Sequence, residues 1–288
     1  MISTYVLLAL SICAVWLPSL QFRNGLNLPP WLVLFCFAIG SAYATGIIHV
    51  AALPSLALLL LFASLAARNR ATRAQGFVFG TGTALLALAL AMHRLPGFNN
   101  PVLLADIRFS PDAAPFTLYA NFDKGAVGLV LLALLCRRAK SFTDFSYAMR
   151  AALPVMTATT VVVLLTSVGI GFVRAEFKLS SHILMFCAAN LFFAVIAEEA
   201  FFRGFLQERL ASIFSSIQLG KVLAIAVSAL LFGAAHFAGG AKFAALATLA
   251  GVGNALAYAR SRRIEGAIAT HFVLNTVHFL GFTYPYLQ

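Results

Sequence analysis

The chain has 288 residues, 61% of them hydrophobic and only 10% charged, with a mean hydropathy of +0.93. A soluble domain is nearer half apolar and a quarter charged, so a water-soluble fold is excluded and lipid must act as solvent. The net charge of +11 is read as the basic bias of cytoplasmic loops, with no nucleic-acid partner.

Apolar runs approach the roughly 20 residues that cross a ~30 Å hydrocarbon core. They predict an all-α, polytopic transmembrane bundle of about ten spans, near 2–19, 31–49, 51–66, 77–92, 125–136, 153–173, 182–205, 222–238, 243–258 and 267–284. Continuous runs favour helices over the short alternating strands of a barrel. The first run begins almost at Met1, without a basic n-region or a clear cleavage site, and reads as a span rather than a signal peptide. Only Pro54 clearly divides residues 31–66, and the 125–136 run is short enough to be re-entrant. Cys13, Cys36, Cys136 and Cys187 form no CxxC pair, so neither a zinc knuckle nor a disulfide framework is expected.

With the N-terminus outside, Arg23, Arg68, Arg70, Arg73, Arg137, Arg138, Lys140, Arg150, Arg209, Lys221, Arg260, Arg262 and Arg263 fall inside. Arg94, Arg108, Lys124, Arg174, Lys178 and Lys242 fall outside. Thirteen against six follows the positive-inside rule. Residues 93–124 form the longest polar stretch, expected as a connecting loop. Its Phe98, Leu103, Leu104, Phe109, Phe116 and Tyr119 are suited to pack on a membrane surface; substrate gating is the alternative role. Residues 1–150 read as a supporting helical region and 151–288 as the functional core.

That core carries AEEAFFRG at 197–204. Ionisable groups in a membrane helix are costly and by default functional. Glu199 and Arg203 are four apart, acid first, the favourable ion-pair order. Glu198 is rotated about 100° away and left for chemistry. The bland alternative, a snorkelling salt bridge at the membrane boundary, leaves that second carboxylate over. FGAAH ends in His236, and HFVLN places His271 and Asn275 four apart on one helix face. A lone intramembrane histidine often does no more than bond a backbone carbonyl. Gly233, Ala234, Ala235, Gly251, Gly253, Ala267 and Ala269 allow close helix packing, so these segments can converge. His278, seven residues after His271, reads as packing or support.

A water-activating base needs a carboxylate or imidazole within hydrogen-bond reach. The developing oxyanion needs pre-placed donors. Glu198 with His236 fits the first demand; an imidazole and the Asn275 amide fit the second. Together they describe amide hydrolysis without a covalent intermediate. Glu, His and His also fit Zn²⁺ with an open water position, although HExxH is absent, so zinc stays open as a cofactor. No GxSxG is present. Cys187 stands about 16 Å from Glu198 along a helix.

EEAFFR (198–203), FGAAH (232–236) and HFVLN (271–275) resemble, in order, the EExxxR, FxxxH and HxxxN motifs of the CPBP (CAAX protease and bacteriocin-processing, ABI) family of Ras-converting-enzyme type. The resemblance covers about residues 150–288. It implies an intramembrane endopeptidase in which Glu198 and His236 activate water, His271 and Asn275 form the oxyanion site, and Glu199 with Arg203 orders the helix. It also implies metal-free chemistry, a membrane-associated protein or peptide substrate and a bacterial inner membrane. It does not fix the substrate or the oligomeric state. A proton-coupled transporter, or a regulatory or immunity scaffold retaining the fold, is the competing class.

Overall fold

The computed structural model describes residues 1–22, 25, 27–68 and 72–288. Arg23 and Arg70 of the predicted inner basic set lie outside the described residues, as does the side chain of Arg73. Ten helices are present among the described residues: α1 (Ile2–Trp16, its last turn 3₁₀), α2 (Pro30–Ala44), α3 (Val50–Ala66), α4 (Arg73–Ala91), α5 (Phe122–Leu134), α6 (Phe142–Gly169), α7 (Ile183–Ile213), α8 (Gly220–Ala235), α9 (Ala241–Ser261) and α10 (Ile264–Gly281). Each of the ten predicted runs falls on one of them. Three (Ala74–Ala91 within α4, α6 and α7) are long and apolar enough to cross a membrane; α1, α2, α3 and α8 are shorter apolar helices.

Local chemistry sets the boundaries. Pro30 opens α2, and Pro54 stands in the first α-helical turn of α3, just after its 3₁₀ start at Val50–Ala52, where a missing N–H costs little. Thr72 and Gln75 form a reciprocal capping box on α4. The Ser141 hydroxyl accepts from Asp144 N to cap α6. Arg262 ends α9 in the left-handed conformation, φ 56°.

The chain divides into two compact units, neither a contiguous stretch. The first comprises Met1–Pro101, Tyr119–Cys136 and Phe192–Phe201. In it α1 packs on α2, α3 packs on α4, and α5 touches α1, α3, α4 and residues 196–199 of α7. Phe122–Leu132 of α5 is buried almost all round, the signature of an interior helix. That explains why the 125–136 run is short: at 13 residues α5 is about 20 Å long and lines protein on every face.

The second unit comprises Val102–Leu118, Arg137–Leu191 and Phe202–Gln288. In it α6 packs on α9 and α10, and α9 also on α8 and α10. The fold is mostly helical, with two small two-stranded sheets added to the expected bundle. Leu20–Gln21 pairs antiparallel with Asn27–Leu28, and Val102–Ile107 pairs with Phe116–Tyr119. Two-stranded sheets are marginal alone. The second is anchored by a ring cluster in which Phe109 and Phe116 meet Phe186, Phe279 and Tyr284. Phe109 and Phe116, both half-buried, thus have protein rings on one side.

Candidate active site

Glu198 and Glu199 lie on the part of α7 that belongs to the first unit. The backbone there is not uniform. Leu191–Val195 and Ala200–Gln207 are π-helical and flank the α-helical Ile196–Glu199. The α-helical spacing predicted from Glu199 onward thus gives way to the wider π turn. Such turns disturb the i→i−4 ladder and recur at functional sites. One carbonyl there, at Ala200, accepts from Cys136 Sγ at 3.7 Å. Glu199 is fully buried. Glu198 meets a partner the motifs did not announce: Lys124 Nζ donates to its Oε1 at 2.6 Å. Lys124, expected in an outer loop, stands instead in the first turn of α5.

Arg203, His236, His271 and Asn275 belong to the second unit. Phe232, itself buried, gathers three of them. The Arg203 guanidinium lies 5.0 Å from the Phe232 ring centroid. The His236 and His271 rings lie 4.5 and 5.6 Å from it. Gly251 of α9 makes the room: a Cβ there would come within 3.2 Å of Phe232 Cδ1. Arg203 is fully buried. Its Nη1 donates to Ser228 Oγ at 2.8 Å, and that hydroxyl donates onward to the Phe202 carbonyl at 2.9 Å.

His236 caps the C-terminal end of α8. Its Nδ1 lies 2.7 Å from the Phe232 carbonyl, an oxygen that can only accept. Nδ1 therefore carries the proton, and in the neutral ring Nε2 holds the basic lone pair. The carbonyl contact expected of an inert histidine is thus also a contact that fixes the tautomer. His271 is buried in the middle of α10. Asn275 Nδ2 donates to Asn190 Oδ1 at 3.4 Å. Asn190 precedes the first π turn and was not singled out by the sequence. His278 packs against Tyr284, ring centroids 5.0 Å apart, in keeping with its reading as packing. Among the described residues no three His, Cys, Asp or Glu side chains are grouped to hold a metal ion.

Residues 180–277 match the family model described as type II CAAX prenyl endopeptidase Rce1-like. The match contains all six motif residues and Asn190, and excludes Lys124. No curated protein and no solved structure matches the chain.

Proposed function

From the match of residues 180–277 to the Rce1-like type II CAAX prenyl endopeptidase model we propose that the chain is an intramembrane endopeptidase acting on a membrane-associated protein or peptide. In this reading Glu198 and His236 activate the attacking water. His271 and Asn275 donate to the oxyanion. Glu199 and Arg203 order the helix that carries the base. The mechanism is metal-free and the enzyme sits in a bacterial inner membrane.

The observation that carries the reading is the tautomer of His236. With Nδ1 donating to the Phe232 carbonyl, the lone pair of the neutral ring lies on Nε2, the nitrogen that would act on water in this reading. The burial of Arg203 and His271 around the same ring supports a preorganised, water-poor setting, where donors act most strongly on developing charge.

The test is cleavage of a quenched-fluorescence peptide bearing an apolar helix by the purified chain in lipid nanodiscs. Glu198→Ala and His236→Ala are expected to lower kcat by about 10²–10⁴. Asn275→Ala is expected to lower it by about 10²–10³. Full activity in either of the first two sinks the roles assigned to them. Proton-coupled solute movement without proteolysis favours the transporter. Cleavage is expected to survive strong chelation; loss on chelation with recovery on adding Zn²⁺ replaces the metal-free mechanism with a zinc one.

A further inference from the structure

The Lys124–Glu198 pair lies within the first unit, with Lys124 outside the family match, and the surrounding residues are built to hold it. Helix α5 begins with backbone N–H groups that have no intrahelical acceptor. Asn100 Oδ1 accepts from Phe122 N at 2.8 Å, and Asp123 Oδ1 accepts from Lys124 N at 2.8 Å. Asp123 is buried. Its carboxylate also accepts from Asn100 Nδ2 at 2.9 Å and from His93 Nδ1 at 2.7 Å. The backbone that carries Lys124 is therefore pinned from behind by three side chains.

His93 adds a second, independent sign. It sits at φ 55°, a left-handed conformation that favours glycine. It occupies the C′ position of a Schellman turn closing α4: His93 N bonds Leu90 O at 2.9 Å and Arg94 N bonds Ala89 O at 2.8 Å. Glycine would serve that turn with less strain. The imidazole is what glycine lacks, and the imidazole reaches Asp123.

One turn along α5 from Lys124, Gly128 faces Ala197, the residue before Glu198. A Cβ on Gly128 would come within 3.0 Å of Ala197 Cα and N. Only a glycine lets the two backbones approach this closely, and that approach brings Nζ to the carboxylate. Both side chains are largely withdrawn from solvent, 17% exposed for Lys124 and 16% for Glu198. A desolvated pair of this kind adds little net stability, so stability alone does not account for the construction.

We propose that Lys124 is a positioning residue for the Glu198 carboxylate, itself held in place by Asp123, Asn100 and His93. By occupying Oε1 it fixes the rotamer that decides where Oε2 points. The inference rests on the endopeptidase reading for the carboxylate's task but not for the pairing itself.

Two measurements on the full chain in nanodiscs separate the two. The first is labelling of Glu198 by dicyclohexylcarbodiimide, a lipid-soluble reagent for protonated carboxyls, read by mass spectrometry. Slow labelling in the wild type, at least fivefold faster labelling in Lys124→Met and a return to slow labelling in Lys124→Arg are expected. Equal rates in all three overturn the pairing whatever the protein's activity. The second is peptide cleavage. Lys124→Met is expected to lower kcat at least tenfold with KM within twofold and the melting temperature held, and Lys124→Arg to recover most of kcat.

His93→Gly relieves the turn while releasing Asp123. It is expected to lower kcat severalfold at an equal or higher melting temperature. Wild-type kcat in both Lys124→Met and His93→Gly, beside an inactive Glu198→Gln, overturns this inference and leaves the endopeptidase standing. An active Glu198→Gln overturns the endopeptidase roles and leaves the labelling result to decide the pairing. Should Lys124→Met fail to fold, wild-type kcat in His93→Gly overturns the positioning role by itself.

Discussion

Phe232 has no acid–base chemistry, yet Arg203, His236 and His271 all rest against its ring. Arg203 is planar and stacks, its Nη1 reaches Ser228, and it is fully buried. A lysine at that place keeps the charge but loses the flat contact and the forked donors. Arg203→Lys is therefore expected to cost about 1–2 kcal/mol, from a weakened cation–π contact and a lost charge-assisted hydrogen bond. Thermal unfolding in detergent checks it: a melting temperature within a degree of wild type refutes the role assigned to the guanidinium. The residue types of this cluster were legible, because charged and imidazole groups stand out against an apolar background. The ring that organises them was not, since one phenylalanine among 27 carries no signal of its own. Nor were Asn190 and Lys124, which lie 85 and 74 residues from Asn275 and Glu198, too far for any local spacing to pair them.

Helix against helix, lipid changes what holds the first unit together. Hydrocarbon chains solvate leucine as well as protein does, so association depends on close packing and polar contacts rather than on apolar burial. The contact of α5 with residues 196–199 of α7 follows that rule. Gly125 admits Phe193, whose Cδ1 would lie 3.0 Å from an added Cβ, and Gly128 admits the Ala197 backbone. Phe193 is a side chain and can turn aside; the Ala197 backbone cannot move without the helix. Gly128→Ala should therefore be worse than Gly125→Ala, by about 1–3 kcal/mol of overpacking, and should lower kcat because it parts Lys124 from Glu198. Melting temperatures and kcat of the two variants, measured side by side, check the order; equal behaviour counts against the close approach. Helix positions were readable from the ten apolar runs, but the π turns at Leu191–Val195 and Ala200–Gln207 were not. A π turn depends on neighbours that donate to its carbonyls, as Cys136 Sγ does to Ala200 O, and not on a residue pattern. The strands Val102–Ile107 and Phe116–Tyr119 escaped for a related reason: VLLADI does not alternate, and a ring cluster distant in sequence holds it.

On the scale of the whole molecule, each compact unit is assembled from segments distant in sequence. Reading along the sequence suggests a support in 1–150 and a core in 151–288. In space, residues 192–201 belong with Met1–Pro101 and Tyr119–Cys136, so the segment carrying both glutamates packs with the first part of the chain. A cut at residue 150 would strip Ala197 of its Gly128 contact and Glu198 of Lys124. The exposed π turns would have no packing to maintain them, because a π segment is stable only where its surroundings favour it. Residues 151–288 expressed alone are therefore expected to have no cleavage activity and to unfold without a sharp transition, although they contain all six motif residues and the complete family match. Co-expression with residues 1–150 as a separate chain is expected to restore binding between the pieces and a measurable fraction of kcat. The cut falls within α6, after Arg150, so part of the deficit belongs to that helix; a second cut in the 171–182 connection, which spares α6, tests the point. Recovery with neither pairing, together with full activity of the isolated C-terminal piece, would assign the glutamate segment to the C-terminal part alone. Recovery that depends on Lys124 in the separate N-terminal chain would tie the first part of the molecule to the chemistry rather than to support.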